Sequence, residues 1–189
     1  MSYPTAPTFN SLTISSNITF VRSEAINLRT QTRSLGGQRW EIAAGYAPMR
    51  AATFMPIWTY ITANQANDFA IILPRFSGQF SAASGTIIVS STAPAGASTV
   101  AISGVVGTLK AGDYIKFRYH NKCYLITEDR AGDGDLSVFP PLRISAVAGQ
   151  TLVYENVPMQ VALKNPAMIN YSHSLNKTVQ YKIDLIEAM

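Results

Sequence analysis

The stretch from residue 128 to residue 135 holds the side chains best suited to binding a metal ion. Its sequence is EDRAGDGD, and carboxylate oxygens on a Gly-rich turn suit calcium. The candidate ligands are Asp129, Asp133 and Asp135. The EF-hand pattern is absent, because no glutamate follows at the distance that a bidentate ligand needs. Asp and Gly are also the residues that tight β-turns favour, so we interpret the stretch as a turn and expect no cofactor.

The other residues that could do chemistry form no recognisable constellation. His120 and His173 are far apart and neither stands at the spacing of metal ligands or of a catalytic triad. We expect His120 in a solvated turn, since His120-Asn121-Lys122 suits a hairpin connection. The single cysteine, Cys123, cannot form a disulfide within the chain and is expected to be a buried thiol. No phosphate-binding loop or nucleophile elbow is present, so we predict that the protein is not an enzyme.

The composition is rich in apolar residues and poor in charge. Of the 189 residues, 47% are hydrophobic and 14% are charged. The length suits one large domain or two small ones. So low a charged fraction is unusual for the surface of a free monomer, whereas the centres of protein interfaces are depleted of charged residues. We therefore expect much of the surface to be buried against other subunits.

The distribution of charge argues against a nucleic-acid-binding protein, although the net charge is +4. The arginines of the N-terminal half are scattered, and they are Arg22, Arg29, Arg33, Arg39, Arg50 and Arg75. No basic run or RNA-binding aromatic motif appears.

No apolar run approaches about 18 residues, which predicts no membrane span. The N-terminal sequence MSYPT lacks the basic and apolar regions of a signal peptide.

One helix and the strands on either side of it form the expected nucleus of the fold. The apolar stripe of residues 49–64 consists of Phe54, Ile57, Trp58 and Ile61, at the i, i+3, i+4, i+7 spacing of a helix. Pro56 lies inside this pattern, so the helix either begins near Pro56 or is kinked there. A strand at residues 39–43 precedes the helix, and a buried strand at residues 69–73, stopped by Pro74, follows it.

The residues before this nucleus predict an arm and short strands. Residues 1–9 are rich in Pro, Ser and Thr, and we expect them to form an extended arm that reaches a neighbouring subunit. Residues 12–21 and 23–33 alternate as strands do and run into a turn at Gly36 and Gly37.

After a small-residue stretch at 81–99 comes a set of short strands separated by glycines, at the spacing of a small barrel. The expected strands are residues 99–102, 114–118, 123–127, 136–139 and 151–154.

Residues 178–187 alternate apolar and polar side chains, which predicts one long C-terminal strand. The chain is thus predicted to be mainly β with one α-helix. Residues 1–83 and 157–189 form an outer β-sandwich or split barrel, into which residues 84–156 insert a small, OB-like β-barrel.

Several groups of residues resemble a family of tail proteins of long-tailed bacteriophages. The first is LGGQRW at residues 35–40, followed by Pro48, Met49 and Arg50 and by the helix with Phe54 and Trp58. The others are LKAGDYI at 109–115, FPPLR at 139–143 and YKIDLIEA at 181–188. After the helix the family pattern has an L-R-G sequence, where this chain has ANQAN at 63–67. The resemblance touches most of the chain, and its motifs are structural rather than catalytic.

The resemblance implies a distal tail protein, the adaptor or hub of a phage baseplate. Such proteins have a sheet-and-helix "belt" domain that assembles into a ring, six-fold in the family, with a smaller barrel attached or inserted. The implied partners are further copies of the chain, the tail tube protein, and the tail-tip, baseplate hub and fibre proteins, while DNA only passes through the lumen. The protein would be made in the host cytoplasm and located in the virion tail. Head-to-tail contacts between neighbours would close the ring.

The residues expected to carry this role are structural or interfacial. Gly36 and Gly37 would supply turn torsions, Trp40 would anchor the belt from inside, and Arg39 would pair with a carboxylate or carbonyl. Arg143 would be either an intersubunit contact or a solvated loop residue. The rest of the set consists of Pro48, Met49, Arg50 and Trp58. The alternative is that Trp40, Phe54 and Trp58 are simply core residues.

Other classes of function stay open at this point. One is a receptor- or carbohydrate-binding tail module, in which Tyr114, Tyr119 and Tyr124 of the barrel stack on sugars. Another is a different virion component, such as a tail-tube or head–tail joining protein. A cell-wall hydrolase is the enzymatic alternative, for which no catalytic pair is visible.

Overall fold

A computed structural model describes residues 3–4, 8–24, 26, 28–73, 83–173 and 178–188, with the backbone alone for Ser34 and His173. Over these residues the chain is mainly β with one α-helix and belongs to the sandwich and barrel class, as predicted. It divides into two compact units, residues 1–70 with 161–188, and residues 71–160. The predicted domain boundaries at residues 83 and 157 stay a prediction.

In chain order the elements are β1 (Ser11–Glu24), β2 (Thr30–Gly45), β3 (Met49–Arg50), α1 (Ala51–Ala63), β4 (Phe69–Leu73), β5 (Ile88–Val89), β6 (Thr99–Ser103), β7 (Thr108–Leu109), β8 (Tyr114–Phe117), β9 (Tyr124–Ile126), β10 (Arg130–Ala131), β11 (Gly134–Phe139), β12 (Leu152–Val153), β13 (Val157–Leu163), β14 (Ser172–His173), β15 (Thr178–Gln180) and β16 (Lys182–Glu187). A five-stranded sheet has the order β1-β2-β16-β13-β4, and a three-stranded sheet has the order β14-β15-β3.

The first unit is built around a long antiparallel hairpin of β1 and β2. Its register pairs Ser11 with Gly45 at the base and Glu24 with Thr30 at the tip. The strand predicted at residues 23–33 is therefore wrong as a single element, because the chain reverses direction within it. Two neighbouring patterns of alternation looked like successive strands, although the reversal between them carries no Gly or Pro to mark it.

Gly36 and Gly37 form a bulge inside β2 and not the predicted turn between strands. Ile18 pairs with Gln38 and Phe20 pairs with Ser34, so three residues of β2 lie opposite Thr19. Gly36 has a φ of 79°, the left-handed region in which glycine carries no steric penalty. Pairing resumes on both sides of the bulge because the extra residues are even in number and leave the alternation intact.

Helix α1 runs from Ala51 to Ala63, close to the predicted range of 49–64. It buries Phe54, Ile57 and Ile61 of the predicted stripe, and Tyr60 as well. The alternative that the helix begins near Pro56 is wrong, because Pro56 lies inside it. Within the described part of the chain, no helix combines the length and apolar character needed to cross a membrane.

Aromatic rings join α1 to the sheet of the first unit. The Phe54 ring lies 5.1 Å from that of Tyr181, and Trp58 meets the same ring edge-on at 6.2 Å. Tyr181 interrupts the predicted C-terminal strand, so β15 pairs with β3 whereas β16 pairs with β2 and β13. The predicted alternation is nevertheless confirmed, since Val179, Tyr181, Ile183 and Leu185 are buried.

The second unit contains a nearly closed, barrel-like sheet with the strand order β12-β8-β9-β11-β6-β5. The five strands predicted here are confirmed as β6, β8, β9, β11 and β12. A bridge between Ile88 and Thr151 joins the two outer strands, with hydrogen bonds of 2.9 Å from Val89 N–H to the Gln150 carbonyl and from Leu152 N–H to the Ile87 carbonyl. An aliphatic and aromatic core fills the unit, with Phe117, Tyr124, Ile115 and Leu136 fully buried.

Candidate functional site

Trp40 and Arg39 lie on opposite faces of the hairpin, as the alternation predicts. Trp40 is 3% exposed, and its backbone N–H lies 3.3 Å from a carboxylate oxygen of the buried Glu187. Arg39 is exposed on the other face, where Glu41 binds the ammonium of Lys164 at 2.8 Å. The hydrogen bond from Lys164 lowers the pKa of Glu41, and the charge of Arg39 adds a smaller lowering. Arg39 thus contributes to a charged cluster, and Trp40 belongs to the core.

The Pro48–Arg50 segment connects the five-stranded sheet to α1. Pro48 is exposed, Met49 is half-buried and pairs with Val179, and Arg50 is the N-cap residue. The backbone of Arg50 is extended, and its side chain makes no capping hydrogen bond. Trp58 is half-buried, with its ring 4.8 Å from that of Tyr171. These residues contribute strand pairing and aromatic packing, and within the described part of the chain they assemble no polar site.

The three candidate metal ligands serve separate structural roles. Asp129 accepts hydrogen bonds from Lys110 Nζ at 2.5 Å and from the Ala111 N–H at 2.8 Å, and both lower the pKa of its carboxyl. Asp133 accepts the Val105 N–H at 2.9 Å, and Asp135 lies in β11 opposite Ala101. Among the residues that the structure describes, no group of three or more His, Cys, Asp or Glu side chains is placed to hold a metal ion.

The expected solvated position of His120 is wrong, because its side chain is 2% exposed. Its Nδ1 lies 3.2 Å from the hydroxyl of Tyr124, which also accepts the backbone N–H of Arg143 at 3.2 Å. Burial lowers the pKa of His120, partly offset by a hydrogen bond to the backbone of Ser145. Tyr124 is itself fully buried, so it cannot stack on a sugar as the carbohydrate-binding alternative required. Cys123 is buried, as predicted.

The described part of the N-terminal arm packs on its own unit, and its predicted contact with a neighbouring subunit stays a prediction. The ring of Tyr3 stacks on Phe69 at 5.4 Å, and Phe9 lies 4.9 Å from Tyr46. The hydroxyls of Tyr3 and Tyr46 are hydrogen-bonded to each other. Burial raises the pKa of Tyr46 to about 12, because the charged phenolate is unfavourable away from water.

The most exposed apolar surface of the first unit is the distal half of the hairpin, residues 16–38, which we call the distal hairpin. β16 pairs with β2 only from Glu41 to Gly45, and in the described residues no third strand pairs with the distal hairpin. Its exposed apolar side chains are Ile18, Phe20, Val21, Ile26, Leu28 and Leu35. Side chains of this kind are usually buried in a core, but here they are in contact with solvent.

Two of these side chains continue the buried face of the sheet. Register places Ile14 beside Ile42 and Ser16 beside Trp40, so Ile18 and Phe20 project from the same face as the buried Trp40. Phe20 is 57% exposed, and Val21 on the opposite face is 53% exposed. The core-facing side of the sheet therefore extends beyond the residues that cover it.

An open groove of about 660 Å³ follows this part of the hairpin. It is lined by Ser15, Ser16, Asn17, Ile18, Phe20, Thr32 and Glu41. The alternation of residues 12–21 predicted a strand, but it did not show that one apolar face of the strand is uncovered. Which strands pair with each other depends on the tertiary structure, and a short-range sequence pattern does not reveal it.

No family model matches the sequence, and none of the curated proteins is significantly similar to it.

Proposed function

We propose that the protein is a structural component of a phage virion, a distal tail adaptor. Copies of the chain would form a ring, six-fold as the family resemblance implies, that joins the tail tube to the tail tip or baseplate and its fibres. The observation that carries the proposal is the distal hairpin, whose apolar face extends past the core of its own unit. Contiguous exposed apolar faces mark interaction surfaces, and a neighbouring copy can supply the surface that covers this one.

The outer edge of the hairpin supports the same proposal. β1 is the edge strand of its sheet, and residues 11–21 contain no charged residue and no proline. Soluble proteins usually protect a long edge with charge, proline or a covering element, since unpaired backbone groups recruit other strands. The chain's charged fraction of 14% is also what an assembled subunit would have.

The test is the oligomeric state of the full chain, by light scattering behind a sizing column and negative-stain imaging. We expect discrete open rings whose mass is a multiple of 20.5 kDa. Phe20→Ser and Ile18→Ser should shift the protein to monomers, because they remove apolar area from the proposed contact.

Val21→Ser is the matched control, because Val21 is as exposed as Phe20 but lies on the other face. Rings that survive Phe20→Ser as well as Val21→Ser would contradict the role given to this face. Long tubes in place of rings would favour a tail-tube protein, and a monomer at every concentration would contradict self-assembly through the distal hairpin.

A further inference from the structure

The turn after β8 presents a tyrosine in an unusual backbone conformation. Tyr119 has a φ of 74° and is 81% exposed. The left-handed region is unfavourable for a bulky residue, and an exposed ring gains little burial in return. A residue that is both strained and exposed contributes little to folding, which makes its ring a candidate for contact with a ligand.

A buried network holds a second segment next to this turn. His120 binds the Tyr124 hydroxyl and the backbone of Ser145, and the same hydroxyl accepts the N–H of Arg143. Residues 118–120 and 143–145 are thereby fixed side by side. Ile144, between the two anchored residues of the second segment, is 49% exposed. The network thus holds the segment that carries the Tyr119 ring next to the segment that carries Ile144.

The charged side chains of these two segments are all basic. Residues 114–124 and 139–150 contain no Asp or Glu, and Arg118 and Arg143 are both exposed. The guanidinium carbon of Arg118 lies 5.3 Å from the centre of the Tyr119 ring, so a cation already lies over one face of the ring. Guanidinium groups bind carboxylate and phosphate oxygens through paired N–H donors.

We propose that Arg118, Tyr119, Arg143 and Ile144, the Tyr119 surface, bind an acidic carbohydrate. A sugar ring would pack its C–H face on the Tyr119 ring and on Ile144, and a carboxylate or phosphate group on the sugar would bind the arginines. Single-stranded nucleic acid uses several aromatic side chains in succession, whereas Tyr119 is the only exposed ring of these two segments. The inference is independent of the adaptor role, because it rests on the second unit alone.

Calorimetric titration of the full chain tests the proposal with matched pairs of probes. The pairs are sialyllactose with lactose, trigalacturonate with a neutral galactose trimer, and glucose phosphate with glucose. Inorganic phosphate and oligothymidylate report simple anion binding and nucleic-acid binding. We expect saturable, salt-sensitive binding of at least one acidic sugar, about tenfold or more tighter than its neutral partner.

Variants then separate the site from general charge. Tyr119→Gly and Arg118→Gln should each weaken the binding about tenfold. Tyr119→Gly should leave the unfolding midpoint unchanged or raised, because glycine relieves the left-handed strain. Arg33→Gln, which removes one exposed charge from the distal hairpin, should leave the affinity unchanged.

Three results would overturn the proposal. The first is no binding of any acidic sugar below a Kd on the order of 1 mM. The second is equal binding by wild type and Tyr119→Gly. The third is a preference for oligothymidylate or inorganic phosphate over every sugar.

Discussion

The two units differ in whether the outer strands of their sheets are joined to another strand. In the barrel, β5 and β12 are the outer strands, and the Ile88–Thr151 bridge joins them. In the first unit, β1 is an outer strand that pairs with β2, and within the described chain its other side meets no strand. A joined sheet satisfies its own backbone groups, whereas an open edge leaves them for a partner. The sheet of the barrel is nearly closed on itself, whereas the hairpin leaves one edge of its sheet open.

The largest expected difference between these regions is the cost of truncating a phenylalanine. Phe117→Ala in the barrel core should lower the free energy of unfolding by about 3–5 kcal/mol, because it leaves a cavity in a fully buried site. Phe20→Ala, at an exposed site of the distal hairpin, should change it by less than about 0.5 kcal/mol in the monomer. Urea unfolding of both variants measures the contrast. Similar losses in the two would show that a part of the same chain already covers Phe20.

A second pair sharpens the comparison within one hairpin. Ile42→Ala at the covered base should cost about 2–5 kcal/mol, since Ile42 is buried. Ile18→Ala on the same face, beyond the cover, should cost under about 0.5 kcal/mol in the monomer. The two substitutions delete the same atoms, so equal effects on the unfolding midpoint would refute the idea that cover ends near Trp40.

Substitutions at the two glycines of the bulge should have smaller effects on stability, and these effects should be of opposite sign. Gly36→Ala should destabilise the hairpin by about 1 kcal/mol, because a Cβ is unfavourable at a φ of 79° even with open space around it. Gly37→Ala should stabilise it by up to about 0.5 kcal/mol, since the added Cβ would meet Thr19 Oγ1 at an ordinary 3.5 Å. Thermal unfolding compares the two variants. A destabilising Gly37→Ala would contradict the prediction that only Gly36 needs the conformational freedom of glycine.

The smallest expected effect is a pH dependence that belongs to the barrel. Because burial holds the pKa of folded His120 below its ordinary 6.5, the unfolded chain binds a proton more readily. The resulting stability is fully present above pH 6.5 and is lost as the pH falls through the folded pKa. We expect the wild type to lose stability on acidification in this range with a steeper slope than His120→Gln. Parallel curves for the two proteins would show that His120 keeps its ordinary pKa in the folded chain.

Much of the fold was predictable from periodicity. The stripe of Phe54, Ile57 and Ile61 located α1, and alternation located five barrel strands and the C-terminal strand. Each of these signals is local, since a helix or strand with one covered face repeats its apolar residues at its own period. The reversal between β1 and β2 was missed because residues 25–29 carry no Gly or Pro, and Gly36 was taken for that reversal although it sits in a bulge.

The candidate surfaces were less predictable. Tyr119 and Tyr124 have the same residue type in neighbouring positions of one hairpin, but one is exposed and the other is fully buried. His120 was expected in solvent because turns are usually solvent-exposed. In the structure, however, the loop at Arg143 and Ser145 covers it. Neither outcome can be derived from spacing, since Arg143 lies 19 positions from Tyr124 and Ser145 lies still farther from His120 along the chain.

The sequence by itself determined the class of the fold, the place of the helix and the alternating faces of the strands, because these follow from side-chain chemistry over a few residues. Only the tertiary structure decided which apolar faces are covered. Ile14, Ile18 and Phe20 follow one alternating pattern in β1, but the cover ends part-way along it. Burial depends on what lies opposite in space, and the strands and rings that supply it come from distant parts of the chain.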